Sequence, residues 1–313
     1  MLHPQTKGLL KFIEERKLPP THTLAPPEAR TFYRERRFFS QPDAPEMASV
    51  RDLKVAGPGG DIAVRIYRPA GSTADAILPV LVYYHGGGWV IGDLDTHDVL
   101  CRELANGAAI CVIAVDYRMG PEHRFPAAVD DCMTATRWVA REAAALAIDP
   151  ARLAVGGDSA GGNLAAVVAI IARDAGDLAV AYQLLIYPAT DQRRQHPSHA
   201  TNGAGYLLTS DTMTYFHDHY LVDARSDQDW RASPLLAEDL SRLPPSLVLT
   251  AGYDPLIDEG LAYAQRLAES GNRNTYVCFA RQIHGFITMG RVLDEANTAV
   301  ALCAAELRRA LRA

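Results

Sequence analysis

The stretch "LAVGGDSAGGNLAAVVAI", from Leu153 to Ile170, places one serine between pairs of glycines. An apolar run precedes the glycines, and a longer, alanine-rich run follows them. A hydroxyl held clear of a sheet at a tight strand-to-helix junction needs a strained backbone, and close packing there leaves no room for Cβ atoms two residues away. The pattern therefore predicts that Ser159 lies at such a junction, between Gly157 and Gly161.

Short β-branched runs alternate with longer helical stretches from about residue 50 onward, which predicts a mostly parallel sheet with helices on both faces. An antiparallel hairpin, "VRDLKVAGPGGDIAVRIYRP", opens the series, and six further buried strands follow it. The clearest helix runs from Pro126 to Leu146, where apolar residues recur at spacings of four and three. The expected fold is α/β and doubly wound, with an eight-strand sheet.

Two segments depart from this alternation. Residues 1–45 hold a short amphipathic helix and then a proline-rich stretch, and residues 190–230 form a long insertion between two strands. A structureless loop of that length is unusual in a compact domain. We therefore predict that 1–45 and 190–230 form the two parts of a small helical cap. The core would consist of 46–189 and 231–313.

The charge balance restricts the partners of the chain. Its 313 residues include 31 basic and 37 acidic side chains, a formal net charge of −6, without long runs of one sign. This balance disfavours nucleic acid and anionic membranes and favours a small ligand. The N-terminus lacks a signal-peptide pattern, and no stretch reaches the length of a membrane span. We expect a cytoplasmic protein without stable membrane association.

Metal and disulfide chemistry find little support in the sequence. The five cysteines are scattered without C-x-x-C spacing, which indicates free thiols. His217 and His219 stand two residues apart in a segment that reads as helical, and such residues do not face one ligand. We expect no metal there and no cofactor.

A serine hydroxyl becomes an effective nucleophile when a base takes its proton and an acid orients that base. When a nucleophilic serine lies at such a strand-to-helix junction, the acid and then the histidine follow it along the chain, each after a strand. Asp254 in "VLTAGYDPLIDEG" and His284 in "CFARQIHGF" have this order and placement. We predict that they act with Ser159. Asp258 and Glu259 remain rival acids, although interaction with the N-terminus of the next helix also explains them.

Attack on a carbonyl creates an oxyanion, which backbone N–H groups in glycine-rich loops stabilise. The stretch "YYHGGGWVIGD" follows a strand, and we predict that the N–H groups of Gly87, Gly88 and Ala160 are the donors. A phosphate-binding loop is the alternative for these glycines, but no G-K-[S/T] follows and no G-x-G-x-x-G opens a helix.

The substrate pocket should draw on the loop after these glycines and on the insertion. Trp89 follows the glycines directly, while Leu207 and Leu208 form an apolar pair within residues 190–230. We predict that the three side chains line the pocket.

Six ordered motifs, "HGGGWVIGD", "DYRMGPEHRFPAA", "GGDSAGGNLA", "YPATD", "DPLIDEG" and "HGF", resemble the hormone-sensitive-lipase-like branch of the α/β-hydrolase esterases, the bacterial branch with the G-D-S-A-G motif. The resemblance covers most of the chain. It implies a carboxylesterase for short- to medium-chain acyl esters under a two-part cap. The chain departs from it at Ile257, where the family often has arginine.

Two other functions remain open. A small-ligand receptor of the same fold would have a defective triad and would lack the histidine, whereas His284 is present. An amidase of the same fold would use the same residues, and the sequence does not separate it from an esterase.

The last expected strand, "NTYVCFAR", should lie at a sheet edge. Its core has no lysine or proline to discourage pairing with another strand. Relatives commonly pair through this edge, so the resemblance implies a homodimer through Thr275–Ala280. In the alternative, the C-terminal helix, roughly 292–311, covers the edge and leaves a monomer.

Overall fold

The computed structural model describes residues 1–223 and 225–312 and contains one eight-strand sheet. The strands are β1 (Ser49–Gly57), β2 (Gly60–Arg68), β3 (Leu78–Tyr84), β4 (Cys111–Asp116), β5 (Ile148–Asp158), β6 (Tyr182–Ile186), β7 (Ser246–Tyr253) and β8 (Asn274–Ile283). Their order is β1-β2-β4-β3-β5-β6-β7-β8. The β1–β2 and β2–β4 pairs are antiparallel and the others are parallel. The predicted eight-strand, mostly parallel sheet is confirmed.

Helices cover both faces of the sheet. The helices of the described residues are α1 (Pro4–Glu15), α2 (Pro26–Ser40), α3 (Asp98–Ala108), α4 (Ala127–Arg141), α5 (Ala143–Leu146), α6 (Ala160–Ala175), α7 (Pro197–Thr201), α8 (Ser210–Tyr220), α9 (Ile257–Glu269) and α10 (Asp294–Leu311). Apolar residues of α3 and α10 pack on one face, and those of α4, α6 and α9 pack on the other. Within residues 1–223 and 225–312, no helix combines the length and apolarity needed to span a membrane.

The helix predicted from Pro126 to Leu146 is interrupted. The break falls at Glu142, whose backbone (φ −89°, ψ 16°) leaves the helical region, so that α4 and α5 are separate helices. The second piece ends at Ala147, which adopts a left-handed conformation before β5 begins.

The parallel strands bring four loops to one edge of the sheet. Ser159 follows β5, Asp254 follows β7, His284 follows β8, and the glycines 86–88 follow β3. Because these strands run in parallel, their carboxyl ends lie along the same edge, where α/β proteins bind ligands. Loops far apart in the sequence therefore meet at one place.

The segments 1–45 and 190–230 contact each other. His22 Nδ1 lies 3.3 Å from the hydroxyl oxygen of Thr212 on α8, and Tyr33 of α2 packs in one apolar cluster with Phe216 of α8. The sequence predicted only one helix in residues 1–45. The helix α2 was missed because it begins within a proline-rich stretch, although proline is tolerated in the first turn of a helix.

Strand β8 lies at an edge of the sheet, as predicted. Helix α10 packs mainly on α3 and reaches the central strands β5 and β6. It therefore lies across one face of the sheet and meets β8 at the end of that strand, where Glu295 accepts a hydrogen bond from the side chain of Gln282 (2.6 Å).

Asn163 connects α6 to both ends of the insertion. Its buried side-chain amide donates hydrogen bonds to the carbonyl oxygens of Ala189 (2.7 Å) and Ala232 (2.8 Å). The substitution Asn163→Ala leaves these carbonyls without that donor. We expect the free energy of unfolding to fall by about 1–3 kcal/mol in urea titrations followed by circular dichroism.

Asn297 offers a matched control. This exposed asparagine donates one hydrogen bond, to the carbonyl oxygen of Gly290 (2.9 Å). We expect Asn297→Ala to change the free energy of unfolding by less than about 0.5 kcal/mol. Equal losses in the two variants would contradict the role given to Asn163.

Candidate active site

The junction between β5 and α6 holds Ser159 in a strained conformation. Its φ of 56° and ψ of −115° are rare for a residue other than glycine. Gly157 and Gly161 both pass so close to the carbonyl oxygen of Tyr84 that a Cβ atom on either would overlap it. The two glycines are therefore required by the approach of β3 to the turn, which is the type of contact that their spacing predicted.

The structure brings Ser159, His284 and Asp254 together. His284 Nε2 lies 2.8 Å from the hydroxyl oxygen of Ser159, and His284 Nδ1 lies 2.7 Å from Oδ2 of Asp254. Asp254 is fully buried, and its other carboxylate oxygen accepts a hydrogen bond from the N–H of Leu256 (2.8 Å). With Nδ1–H donated to the carboxylate, Nε2 is left to accept the serine proton.

The two rival acids lie elsewhere. Asp258 accepts a hydrogen bond from the N–H of Ser198 (2.8 Å). Glu259 is buried, accepts one from the N–H of Thr190 (2.6 Å) and lies 2.8 Å from His199 Nε2. Burial raises the pKa of Glu259, although His199 acts in the opposite direction. Interaction with the helix N-terminus was thus an incomplete explanation for Glu259, which joins α9 to the start of the insertion.

The glycine loop after β3 presents backbone donors beside the serine. Gly87 (φ 125°) and Gly88 (φ 59°) adopt conformations that favour glycine, and a Cβ on Gly87 would overlap the carbonyl of Ile91. Within the described residues, no protein group accepts a hydrogen bond from the N–H of Gly87, Gly88 or Ala160. Three N–H groups are therefore available to an oxygen atom bound beside Ser159.

Asp158 connects this loop to the serine turn. Its buried carboxylate accepts hydrogen bonds from the Tyr83 hydroxyl (2.7 Å) and the N–H of Gly86 (2.9 Å) and lies 3.2 Å from His97 Nε2. Burial alone would raise the pKa of Asp158, but His97 and the Tyr83 hydroxyl outweigh it, so the pKa is lowered. The sequence analysis did not reveal this anchoring role.

A cavity of about 980 Å³ opens over Ser159 and His284. The predicted pocket residues Trp89, Leu207 and Leu208 all lie in its wall. Most of the Trp89 indole is buried, because it stacks on a tyrosine of α8 with ring centroids 4.4 Å apart. Leu208 is also nearly buried, whereas Leu207 is half-buried.

Helix α2 supplies cavity residues that the sequence analysis missed. One face of it lines the cavity with Phe32, Tyr33, Arg36, Arg37 and Ser40. Tyr33, Arg36, Arg37 and Ser40 follow the i, i+3, i+4, i+7 spacing of a helix face, a signal in "FYRERRFFS" that could have revealed it.

The two histidines considered as metal ligands have separate partners. His217 Nε2 lies 2.9 Å from a carboxylate oxygen of Asp227, and His219 Nδ1 lies 2.7 Å from the carbonyl oxygen of Tyr215. In the part of the chain that the structure describes, no three His, Cys, Asp or Glu side chains are grouped to hold a metal ion.

A serine on a glycine-flanked turn, with an acid and a histidine after later strands of a doubly wound sheet, defines an α/β hydrolase. The profile of the alpha/beta hydrolase fold family matches residues 81–288. The chain belongs to this family, in its hormone-sensitive-lipase-like branch of carboxylesterases.

Several relatives share much of the chain. Carboxylic ester hydrolase LipN of Mycobacterium tuberculosis is 47% identical over 246 residues, which are 77% of this chain but only 65% of LipN. Ethyl acetate hydrolase of Pseudomonas putida is 38% identical over 316 residues, covering 99% of each chain. A Pyrobaculum calidifontis esterase structure superposes with a TM-score of 0.92 at 40% identity and 99% coverage of each chain. The protein is accordingly a carboxylic ester hydrolase, as the motifs predicted.

His85, which precedes the glycine loop, makes stability depend on pH. Its imidazole is buried and stacks on Tyr117 at 4.4 Å. Burial, and then nearby His97, lowers the pKa of His85 to about 4. In the unfolded chain this imidazole takes up a proton near pH 6.5, whereas in the folded protein it stays neutral down to about pH 4. The folded state is therefore favoured fully above pH 6.5, and its free energy of unfolding falls as the pH falls toward 4. From pH 7 to pH 5 we expect a loss of about 2 kcal/mol from this residue.

The substitution His85→Gln isolates this contribution, because other groups near it, such as Asp116 with its pKa raised by burial to about 6, titrate in both proteins. The difference in unfolding free energy between wild type and variant should shrink by about 2 kcal/mol from pH 7 to pH 5 in urea titrations. A difference that stays constant with pH would contradict a neutral, buried His85.

Proposed function

We propose that the protein is a serine carboxylesterase that hydrolyses short- to medium-chain acyl esters through an acyl-enzyme intermediate. The observation that carries the proposal is the pair of contacts of 2.8 and 2.7 Å joining Ser159 to His284 and His284 to Asp254 beneath the cavity. The names of the relatives support an ester as the substrate. A non-catalytic receptor would not need an imidazole in contact with this hydroxyl.

In the first half-reaction, the Ser159 oxygen attacks the ester carbonyl carbon while its proton passes to His284 Nε2. Asp254 stabilises the imidazolium that results. The former carbonyl oxygen becomes an oxyanion and accepts hydrogen bonds from the N–H groups of Gly87, Gly88 and Ala160. His284 then returns the proton to the alcohol oxygen as the carbon–oxygen bond breaks, which leaves the acyl group on the serine.

In the second half-reaction, water repeats the attack on the acyl-enzyme. His284 takes a proton from the water, and the same N–H groups stabilise the second oxyanion. Collapse of this intermediate breaks the bond between the serine oxygen and the acyl carbon, and His284 reprotonates the serine. The products are a carboxylic acid and the free enzyme.

The cap is part of the same proposal. Residues 1–45 and 190–230 supply α1, α2 and α8, which all contribute to the cavity wall, while 46–189 and 231–313 form the catalytic core. A cavity of about 980 Å³ under these helices suits a small ester and limits the length of the acyl chain.

Substitutions at the three residues test the proposal. We expect Ser159→Ala and His284→Ala each to reduce kcat on 4-nitrophenyl butyrate by about 10⁶-fold, because such residues act as a unit. Asp254→Asn should cost about 10⁴-fold, since the asparagine favours the wrong imidazole tautomer. A serine-reactive phosphonate should label the wild type and should not label Ser159→Ala.

Asp258→Asn is the matched control, because Asp258 is a neighbouring acid whose described contacts are with Ser198. We expect it to change kcat by less than about three-fold. A larger effect at Asp258 than at Asp254 would reassign the acid, and several per cent of residual activity in Ser159→Ala would require a different nucleophile.

We also propose a homodimer in which two copies of the β8 segment Thr275–Ala280 pair antiparallel. The position of β8 at the sheet edge and the packing of α10 on α3 support it. An unprotected apolar edge strand tends to find a partner strand.

Light scattering at micromolar concentration should give the wild type about twice the chain mass of 34.0 kDa. Val277→Pro and Ala280→Lys should each shift the protein toward a monomer, the first by disturbing the edge backbone and the second by adding like charges. Circular dichroism shows whether each variant has folded. A wild-type mass near 34.0 kDa would end the dimer proposal.

A further inference from the structure

A guanidinium group without a counter-ion faces the cavity. Arg36 of α2 lines the same cavity as Ser159 and is half-buried. Within the described residues, no carboxylate oxygen lies within 4.0 Å of its guanidinium nitrogens. Arg36 therefore has no ion-pair partner of its own in the described protein.

Two other arginines of the same helix differ from it. Arg30 makes a two-pronged contact with Glu122 (2.9 and 2.6 Å), and Arg34 donates a hydrogen bond to Asp93 (2.7 Å). Both carboxylates belong to loops of the core. The helix therefore pairs Arg30 and Arg34 with acids of the core, and it leaves Arg36 and the adjacent Arg37 without an acidic partner at the cavity.

The surroundings of Arg36 compensate its charge only in part. The rings of Phe32 and Tyr33 lie 5.8 and 5.9 Å from its guanidinium carbon, which is within the range of a stabilising cation–π contact, but burial still lowers the pKa of Arg36. A cation that has lost part of its water is stabilised when an anion binds beside it.

The position of Tyr33 connects Arg36 to the serine turn. Tyr33 precedes Arg36 by one helical turn on the face that lines the cavity. Burial raises the pKa of Tyr33, the charge of Asp158 raises it further, and the charge of Arg36 lowers it. Arg36, Tyr33 and Ser159 all line this one cavity.

The acids of the cavity wall near the site already have partners. Asp158 contacts His97, Asp191 contacts Arg193, and Glu259 contacts His199. At the exposed rim, Glu14, Asp211, Lys7 and Lys11 also border the cavity. Two further half-buried arginines of the wall, Arg37 and Arg194, have no carboxylate oxygen within 4.0 Å in the described residues either. Arg37 donates to the carbonyl oxygen of Arg34 (3.0 Å), and Arg194 lies 2.8 Å from the hydroxyl oxygen of Thr214. The half-buried charge without an acidic partner around Arg36 is thus positive, although the whole chain has a net charge of −6.

We propose that Arg36 binds a carboxylate group of the substrate, so that the enzyme prefers esters that carry a negative charge, such as monoesters of dicarboxylic acids. The inference rests on the proposed ester hydrolysis at Ser159 and adds to it a class of substrate. A planar guanidinium can donate two parallel hydrogen bonds to a carboxylate, which also fixes the orientation of the ester.

Two substrates of equal chain length and leaving group test the proposal. Mono-4-nitrophenyl adipate carries a carboxylate at the end of its six-carbon acyl chain, and 4-nitrophenyl hexanoate carries none. We expect Arg36→Gln to lower kcat/KM for the adipate by about 10- to 100-fold, mainly through KM, and for the hexanoate by less than about two-fold. Arg36→Lys should retain part of the preference, because it keeps the charge and loses the paired donors.

Arg16→Gln is the control variant, since Arg16 is an exposed arginine outside the cavity wall. It should leave both substrates within about two-fold of wild type. A second pair, the acetyl ester of 4-hydroxybutyrate and butyl acetate, shows by titration of released acid whether the charge belongs on the alcohol side instead. The proposal is supported if Arg36→Gln lowers kcat/KM for either charged ester and leaves kcat/KM for its neutral match unchanged.

Equal effects of Arg36→Gln on charged and neutral esters would overturn the proposal, because Arg36 would then be a hydrated residue stacked on its aromatic neighbours. The proposed function would still stand if phosphonate labelled Ser159 in wild type and variant alike. If the wild type hydrolysed none of the four esters and took up no phosphonate, the proposed function itself would fail.

Discussion

The site depends on the contact between the end of β3 and the turn after β5. The carbonyl oxygen of Tyr84 occupies the space that Cβ atoms would take at Gly157 and Gly161. This contact sets β3 beside the turn, and the N–H of Ser159 donates to the carbonyl oxygen of Ile186 (2.8 Å) on the other side. A strained serine persists only where its surroundings fix it from several sides, and here two neighbouring strands do so.

The same packing couples the proposed nucleophile, Ser159, to the glycine loop that holds the proposed backbone donors. Asp158 and Ser159 are consecutive, and the backbone turn between them directs one side chain into the core and the other to the cavity. Because Asp158 binds the N–H of Gly86, the residue before the donor glycines, the serine and the loop are held by one buried carboxylate. The buried polar groups beneath the site therefore join the turn of Ser159 to the glycine loop, as the proposed mechanism requires of a nucleophile and its backbone donors.

The sequence predicted the elements that depend on local patterns. Alternating apolar runs gave the sheet, and the order of Ser159, Asp254 and His284 gave the residues that meet at its edge. The role of Glu259 could not be predicted, because it depends on a contact with His199 sixty residues away. The cytoplasmic location and the dimer stay predictions, since nothing within one folded chain tests them. Helix α2 was missed because prolines at its start indicated a loop.

Helix α2 is hydrogen-bonded to the loop that follows the glycines 86–88. Arg30 donates hydrogen bonds to the carbonyl oxygens of Val90 (2.8 Å) and Gly120 (2.8 Å), besides its contact with Glu122. A movement of α2 away from this loop would break these bonds. The contacts of Arg30 thus tie α2, and with it the face that carries Arg36, to the segment after the glycine loop. The proposed selection of charged esters by Arg36 therefore does not require a mobile lid, because the helix and the loop are already joined.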